Sequence, residues 1–117
     1  MKLIISPHNI SLTEAIEEHI RSRIEKLEHI DRYAVDAQVT IEHDNTKAPE
    51  KSFKCGILLR EPGPDLYAED HEDNLYSAID LVTKKIQQQI RKRHSKFKAK
   101  NHSEAARFKE EQQEANL

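Results

Sequence analysis

The 117-residue chain has one cysteine, two glycines and no tryptophan. A single thiol, Cys55, allows neither an internal disulfide nor a thiolate zinc cluster. Its place in the apolar run FKCGILL, residues 53–59, reads as a small buried side chain rather than a reactive one. Two glycines leave no material for a glycine-rich loop that cradles phosphates. No apolar run reaches the roughly 18 residues that a membrane-spanning helix needs. The N-terminal MKLIISPHN has only three consecutive apolar residues, too few for the core of a signal peptide. A cytoplasmic protein with no membrane partner is therefore expected. Nucleophile and HExxH motifs are missing as well. Seven histidines are present, and His43-Asp44 and His71-Glu72-Asp73 bracket one hairpin, but no ligand spacing frames them. They read as surface residues, and the expectation is a non-enzyme with no metal, no cofactor and no small-molecule substrate.

Charge is what the chain has in quantity: 34% of residues are charged, against 36% hydrophobic. The formal net charge of −2 argues against nucleic acid when taken alone. It conceals a segregation. Residues 1–83 hold nine Lys/Arg and seventeen Asp/Glu, whereas residues 84–100 hold eight Lys/Arg and no acid. The chain is thus an acidic body followed by a basic segment.

Hydrophobic periodicity supplies the elements. Lys2–Ser6 reads as a first strand stopped by Pro7. Ser11 and Glu14 fit a capping box, with Thr13 as a competing cap. Ile16, Ile20, Ile24, Leu27 and Ile30 recur every three or four residues, predicting a helix over about 12–30. Val35, Ala37, Val39 and Ile41 alternate with polar residues as a half-buried strand. Asn45–Lys51, which contains Pro49, is a loop, and Phe53, Cys55, Ile57 and Leu59 alternate again. The EPGPD segment at 61–65 predicts a tight connection to a strand from Leu66 to about His71, hence an antiparallel hairpin. A second helix starts near Asp73–Asn74 with the apolar stripe Leu75, Ile79, Val82, Ile86, Ile90 and Phe97, and is expected to end near 98. The fold class is α+β, in the order β-α-β-β-β-α: a four-stranded sheet with two helices packed on one face. The expected division is a domain over 1–99 and a flexible, polar, mildly acidic tail over 100–117.

At 100° per residue, Lys85, Lys92 and Lys96 share one flank of the second helix. Lys84, Arg91 and Lys98 lie nearer its solvent pole, and Arg93 falls within the stripe, its stem packed and its guanidinium emerging. On the first helix His19, Arg23 and Lys26 line one flank, and Glu17, Glu25 and Glu28 the other. Side by side, the basic flanks would join into one patch. Such a patch suits phosphate recognition, in which each neutralised phosphate releases counterions. A solvated helix surface favoured by the helix macrodipole is the bland alternative. Eight basic residues without interspersed acid leave the 84–100 run no i,i+4 partners within itself, and that tilts the reading to an anionic partner. The six aromatics, Tyr33, Phe53, Tyr67, Tyr76, Phe97 and Phe108, read mostly as core or helix anchors, so structured RNA fits better than single strands.

The strand order, the RIEKLE segment at 23–28 and DNLYSAIDLVTKKIQQQIRK at 73–92, with Tyr76, Ala78, Ile79 and Asp80 opening the second helix, resemble the ribosome hibernation promoting factor family. That family includes the ribosome-associated inhibitor and is also known as the sigma-54 modulation proteins. The resemblance covers about residues 1–98. It implies binding to the small ribosomal subunit, on 16S rRNA and neighbouring ribosomal proteins, at the tRNA and mRNA decoding region. Idle ribosomes are thereby silenced under stress or in stationary phase. By position, Arg23 and Lys26 match first-helix basic sites, and Lys85, Arg91 and Lys92 match second-helix ones. Arg93 and Lys96 extend the same face.

The sequence departs from the family at Gln88, often basic, at Asn74 in place of an aspartate cap, and in the 44–51 loop and EPGPD turn. It reads as a short form without the second domain of long members, monomeric when free. Glu104, Glu110, Glu111 and Glu114 make its tail more like the inhibitor type. The competing readings are a general double-stranded RNA-binding module, and a regulator that binds protein through the acidic surface of 1–83.

Overall fold

In the computed structural model the backbone is described for residues 1–109 and the side chains for residues 1–95. The elements are β1 (Lys2–His8), α1 (Glu14–Ile30), β2 (Asp36–His43), β3 (Phe53–Arg60), β4 (Leu66–Glu72) and α2 (Leu75–Lys109), with one 3₁₀ turn at Pro49–Lys51. They form a mixed sheet in the order β1-β2-β3-β4. β1 runs parallel to β2, as a connection through a helix allows, and the two later pairings are antiparallel. Both the expected order and the α+β class are observed.

Alternation in the strands becomes a two-faced sheet. Ala37, Val39 and Ile41 of β2, Cys55, Ile57 and Leu59 of β3, and Leu66 and Ala68 of β4 are buried beneath the helices. Ile16, Ile20, Ile24 and Leu27 of α1 meet them, as do Leu75, Ala78, Ile79, Val82, Ile86 and Ile90 of α2. Burial pushes the Cys55 thiol up to about 12, with the nearby Asp70 charge adding to it, so this cysteine is chemically quiet. The opposite face carries the polar partners. There the Tyr67 ring covers Gly56, where an added Cβ would stand 2.9 Å from the Tyr67 hydroxyl, and that hydroxyl donates to Glu69 at 2.7 Å.

Four details differ from the sequence expectation. Pro7 does not end β1, which continues to His8. β1 is an edge strand, so a residue without an N–H can sit where that group would face solvent. Thr13, not Ser11, caps α1: its hydroxyl accepts from the Ile16 amide at 3.2 Å. Asn9, in the left-handed region at φ 56°, turns the chain out of β1 and donates to the His43 carbonyl at 2.8 Å. Asp36, expected on the polar face, is buried with Arg60 3.6 Å away on the adjacent strand, while Val35 is exposed. Lastly, α2 continues to Lys109, past the expected end near 98. No proline or glycine follows Pro64, and Glu104–Ala105–Ala106 are strong helix formers. The rest of the segment read as a tail, 110–117, lies outside the described residues.

Candidate nucleic-acid interface

Asn74 opens α2, its side-chain oxygen accepting from the Ser77 amide at 2.9 Å. From there the apolar stripe keys the helix onto the sheet, and this fixes where every basic residue points. α2 has α1 on one side and β4 on the other, and the two flanks are chemically different.

On the α1 side, Arg23 and Lys26 of the first helix meet Asp80, Thr83, Lys84 and Gln87 across a groove of about 230 Å³. Lys26 and Lys84 are exposed, and Thr83 is buried with its hydroxyl donating to the Ile79 carbonyl at 2.8 Å. Arg91, seven residues beyond Lys84, continues this side and is exposed. Asp80 is the acidic residue of the groove. Its Oδ1 accepts from Arg23 Nε at 2.8 Å and lies 2.7 Å from His19 Nε2. Burial works against the Asp80 carboxylate, but the bonds from Arg23 and His19 outweigh it and hold its pKa below the ordinary value.

On the β4 side, cations are used differently. Lys85 Nζ donates to the Glu69 carbonyl at 3.0 Å and stands 3.8 Å from Asp70. Gln89 donates to the Tyr67 carbonyl at 2.8 Å. β4 is the free edge of the sheet, so the two side chains close off carbonyls that would otherwise stand unpaired along it. Lys92, exposed, and Arg93 line a shallow hollow with Leu66 and Gln89. Arg93 also reaches the β3–β4 turn, its guanidinium 3.9 Å from Glu61, whose side chain is only 6% exposed. Burial, a hydrogen bond with the Asp31 carboxyl and the charge of Asp31 push Glu61 up to about 8, against the pull of Arg93.

Of the seven sequence-predicted residues, the structure therefore brings Arg23 and Lys26 together with one another and with the Arg91 side of α2. It puts Lys85, Lys92 and Arg93 on the far flank. Lys96 lies outside the residues whose side chains are described. The continuous patch expected from joining the Lys85 flank to the first helix does not form; Lys84 and Gln87 occupy that junction instead. A helical wheel gives angles between side chains but not which flank meets the neighbouring helix. The groove-lining Lys84 was thus legible only as a member of the basic run.

The tyrosines are less core-like than expected: Tyr33, Tyr67 and Tyr76 are exposed, and Tyr76 meets His19 edge-on at 5.0 Å. Phe53 packs against the core and stacks on His43 at 4.2 Å. His71 contacts Glu69 at 3.3 Å. Among the described residues no group of three or more His, Cys, Asp or Glu is placed to hold a metal ion, and no helix is long and apolar enough to cross a membrane.

A two-helix face over a mixed four-stranded sheet, with a basic groove between the helices, defines the class of protein that comparison with known sequences then specifies. The model of the family described as sigma 54 modulation protein / S30EA ribosomal protein matches residues 3–98, and the chain belongs to that family. It is 31% identical over 115 residues to a ribosome hibernation promotion factor of a Picosynechococcus species, covering 97% of this chain and 58% of the relative. The Bacillus subtilis protein of that name is 35% identical over 101 residues, covering 86% and 52%. The chain thus spans about half the length of these two relatives. A ribosome hibernation promoting factor of Acinetobacter guillouiae, 33% identical over 97 residues, is covered to 86%. Two solved structures share the fold at a TM-score of 0.67: the N-terminal domain of Thermus thermophilus protein Y, at 20% identity, and a ribosomal subunit interface protein from Coxiella burnetii, at 18%. The first match covers 79% of this chain and 98% of the other; the second covers 85% and 99%.

Proposed function

We propose that this chain is a ribosome hibernation factor, a non-catalytic cytoplasmic translation silencer that docks its helix face on the 16S rRNA of the small ribosomal subunit. In this reading it occupies the tRNA and mRNA decoding region and excludes tRNA by volume, silencing idle ribosomes under stress or in stationary phase. Blocking of this kind needs affinity and bulk, not bond chemistry. The observation that carries the reading is the segregation of charge: a helix face set with Arg23, Lys26, Lys84 and Arg91 on a body that is otherwise acidic. The names of the relatives point the same way.

Arg23, Lys26, Lys84 and Arg91 are assigned the first phosphate contacts, with Lys85, Lys92, Arg93 and Lys96 supporting them from the other flank. The acidic body repels RNA from the remaining surfaces and so orients the approach. Four contacts from the α1 side, the three groove cations and Arg91, alone give a log affinity that falls with log salt at a slope of roughly −3. Co-sedimentation of the purified chain with small ribosomal subunits at low salt is the test. The reading fails if the chain stays at the top of the gradient. Equal affinity for naked duplex RNA would favour a general double-stranded RNA-binding module.

A further inference from the structure

A carboxylate in the middle of a phosphate-binding groove is electrostatically unfavourable, and Asp80 is in that position among Arg23, Lys26 and Lys84. Its bonds explain what it does there. Asp80 Oδ1 accepts from Arg23 Nε at 2.8 Å, while one terminal nitrogen of the same guanidinium donates to the Ser22 hydroxyl at 3.3 Å. That hydroxyl is itself fixed, donating to the His19 carbonyl at 2.9 Å. His19 closes the circuit by contacting the same Asp80 oxygen at 2.7 Å and packing its ring edge-on against Tyr76. Arg23 is thus held at two points in a half-buried setting, and its second terminal nitrogen is the one these bonds leave for a phosphate. Lys26 and Lys84 are exposed, and no such clamp holds them.

We propose that Asp80 is a positioning residue for RNA binding: it fixes the Arg23 guanidinium across the two helices so that one planar donor is already ordered when phosphate arrives. The inference rests on the RNA-binding reading above and adds to it a residue of the wrong charge for the job. Arginine side chains lose rotamer freedom on binding, and ordering one beforehand removes that cost.

The sign of one substitution separates this role from plain electrostatics. Asp80→Ala removes a negative charge, so a merely electrostatic Asp80 predicts tighter binding to small ribosomal subunits. Positioning predicts binding about two- to ten-fold weaker, with the magnitude of the salt slope reduced by roughly one contact. Asp80→Asn keeps an oxygen that can accept from Arg23 Nε and loses the charge, so it binds at least as tightly as the parent chain. In an Arg23→Ala background, Asp80→Ala no longer weakens binding and leaves affinity equal or tighter, because the group it positions is gone and only its repulsion of phosphate remains. Tighter binding by Asp80→Ala alone, or an undiminished loss in the Arg23→Ala background, overturns the proposal. Nitrogen-15 relaxation of the Arg23 Nε–H group, read on the free protein, tests the clamp without RNA: Asp80→Ala must make that group mobile. An Arg23 Nε–H equally rigid in Asp80→Ala overturns the positioning role. Failure of the parent chain to bind subunits overturns the RNA reading instead and leaves this measurement to decide the clamp.

Discussion

The two flanks of α2 hold the same kind of side chain and use it in opposite ways. Toward α1, Lys84 is exposed beside Lys26, and Arg23 is aimed by an acid. Toward β4, Lys85 spends its donors on the strand's carbonyl and on Asp70, and Arg93 is drawn to Glu61. Next to the sheet edge Lys85 and Arg93 are drawn into structural bonds; next to α1 the one acid, Asp80, is engaged by Arg23 and His19, and Lys26 and Lys84 stand exposed beside it. Unpaired cations are the ones that gain most from a phosphate, so the α1-facing groove is the stronger half of the interface.

The most damaging test of that contrast is a pair of double reversals. Lys26→Glu with Lys84→Glu is expected to weaken binding to small subunits about a hundred-fold or more at low salt, with unfolding temperature nearly unchanged. Lys85→Glu with Lys92→Glu is expected to cost less affinity and more stability, since Lys85 bonds β4. Equal losses of affinity would mean that neither flank is privileged.

A smaller effect distinguishes the flanks by pH. Glu61 ordinarily titrates near 4.5 and is raised to about 8 in the fold. The folded state therefore binds the extra proton between these values, and the stability this group contributes is full below about 4.5 and lost as pH rises through about 8. Thermal unfolding should accordingly show the chain losing stability from pH 5 to 9, and Glu61→Gln should flatten that decline. An unchanged profile in the variant would remove Glu61 from the β4-side network.

Single truncations give the finest comparison. Lys84→Ala should lower affinity several-fold and leave stability alone. Lys85→Ala should cost less than about 1 kcal/mol of stability, its ion pair being solvent-exposed. Gln89→Ala leaves the Tyr67 carbonyl on the sheet edge without its partner, and about 1 kcal/mol in urea unfolding is expected. Loss of RNA affinity in Gln89→Ala without loss of stability would place the β4 edge on the RNA rather than in the fold.

Much of this was legible beforehand, for reasons specific to particular residues. The stripe from Ile16 to Leu27 and the alternation from Ala37 to Ile41 are periodic signals that one buried face imposes, and both faces are where periodicity put them. Local chemistry was readable only in part. Thr13 rather than Ser11 supplies the cap, a choice between two neighbouring candidates that the local pattern leaves open, and Asp36 is buried with Arg60 across from it on the neighbouring strand. The pairing of Asp36 with Arg60 joins residues far apart in the chain, which no local pattern carries.

The charge segregation and the element order are properties of the chain itself, since counting and periodicity need no partner. Which basic residues share a groove depends on how α2 rotates against its neighbours. Packing of Ile79, Val82, Ile86 and Ile90 on the sheet sets that rotation, turning Lys84 to α1 and Lys85 to β4. Adjacent residues on a helix stand about 100° apart, so a single position separates a side chain offered to a partner from one that seals the edge of the sheet.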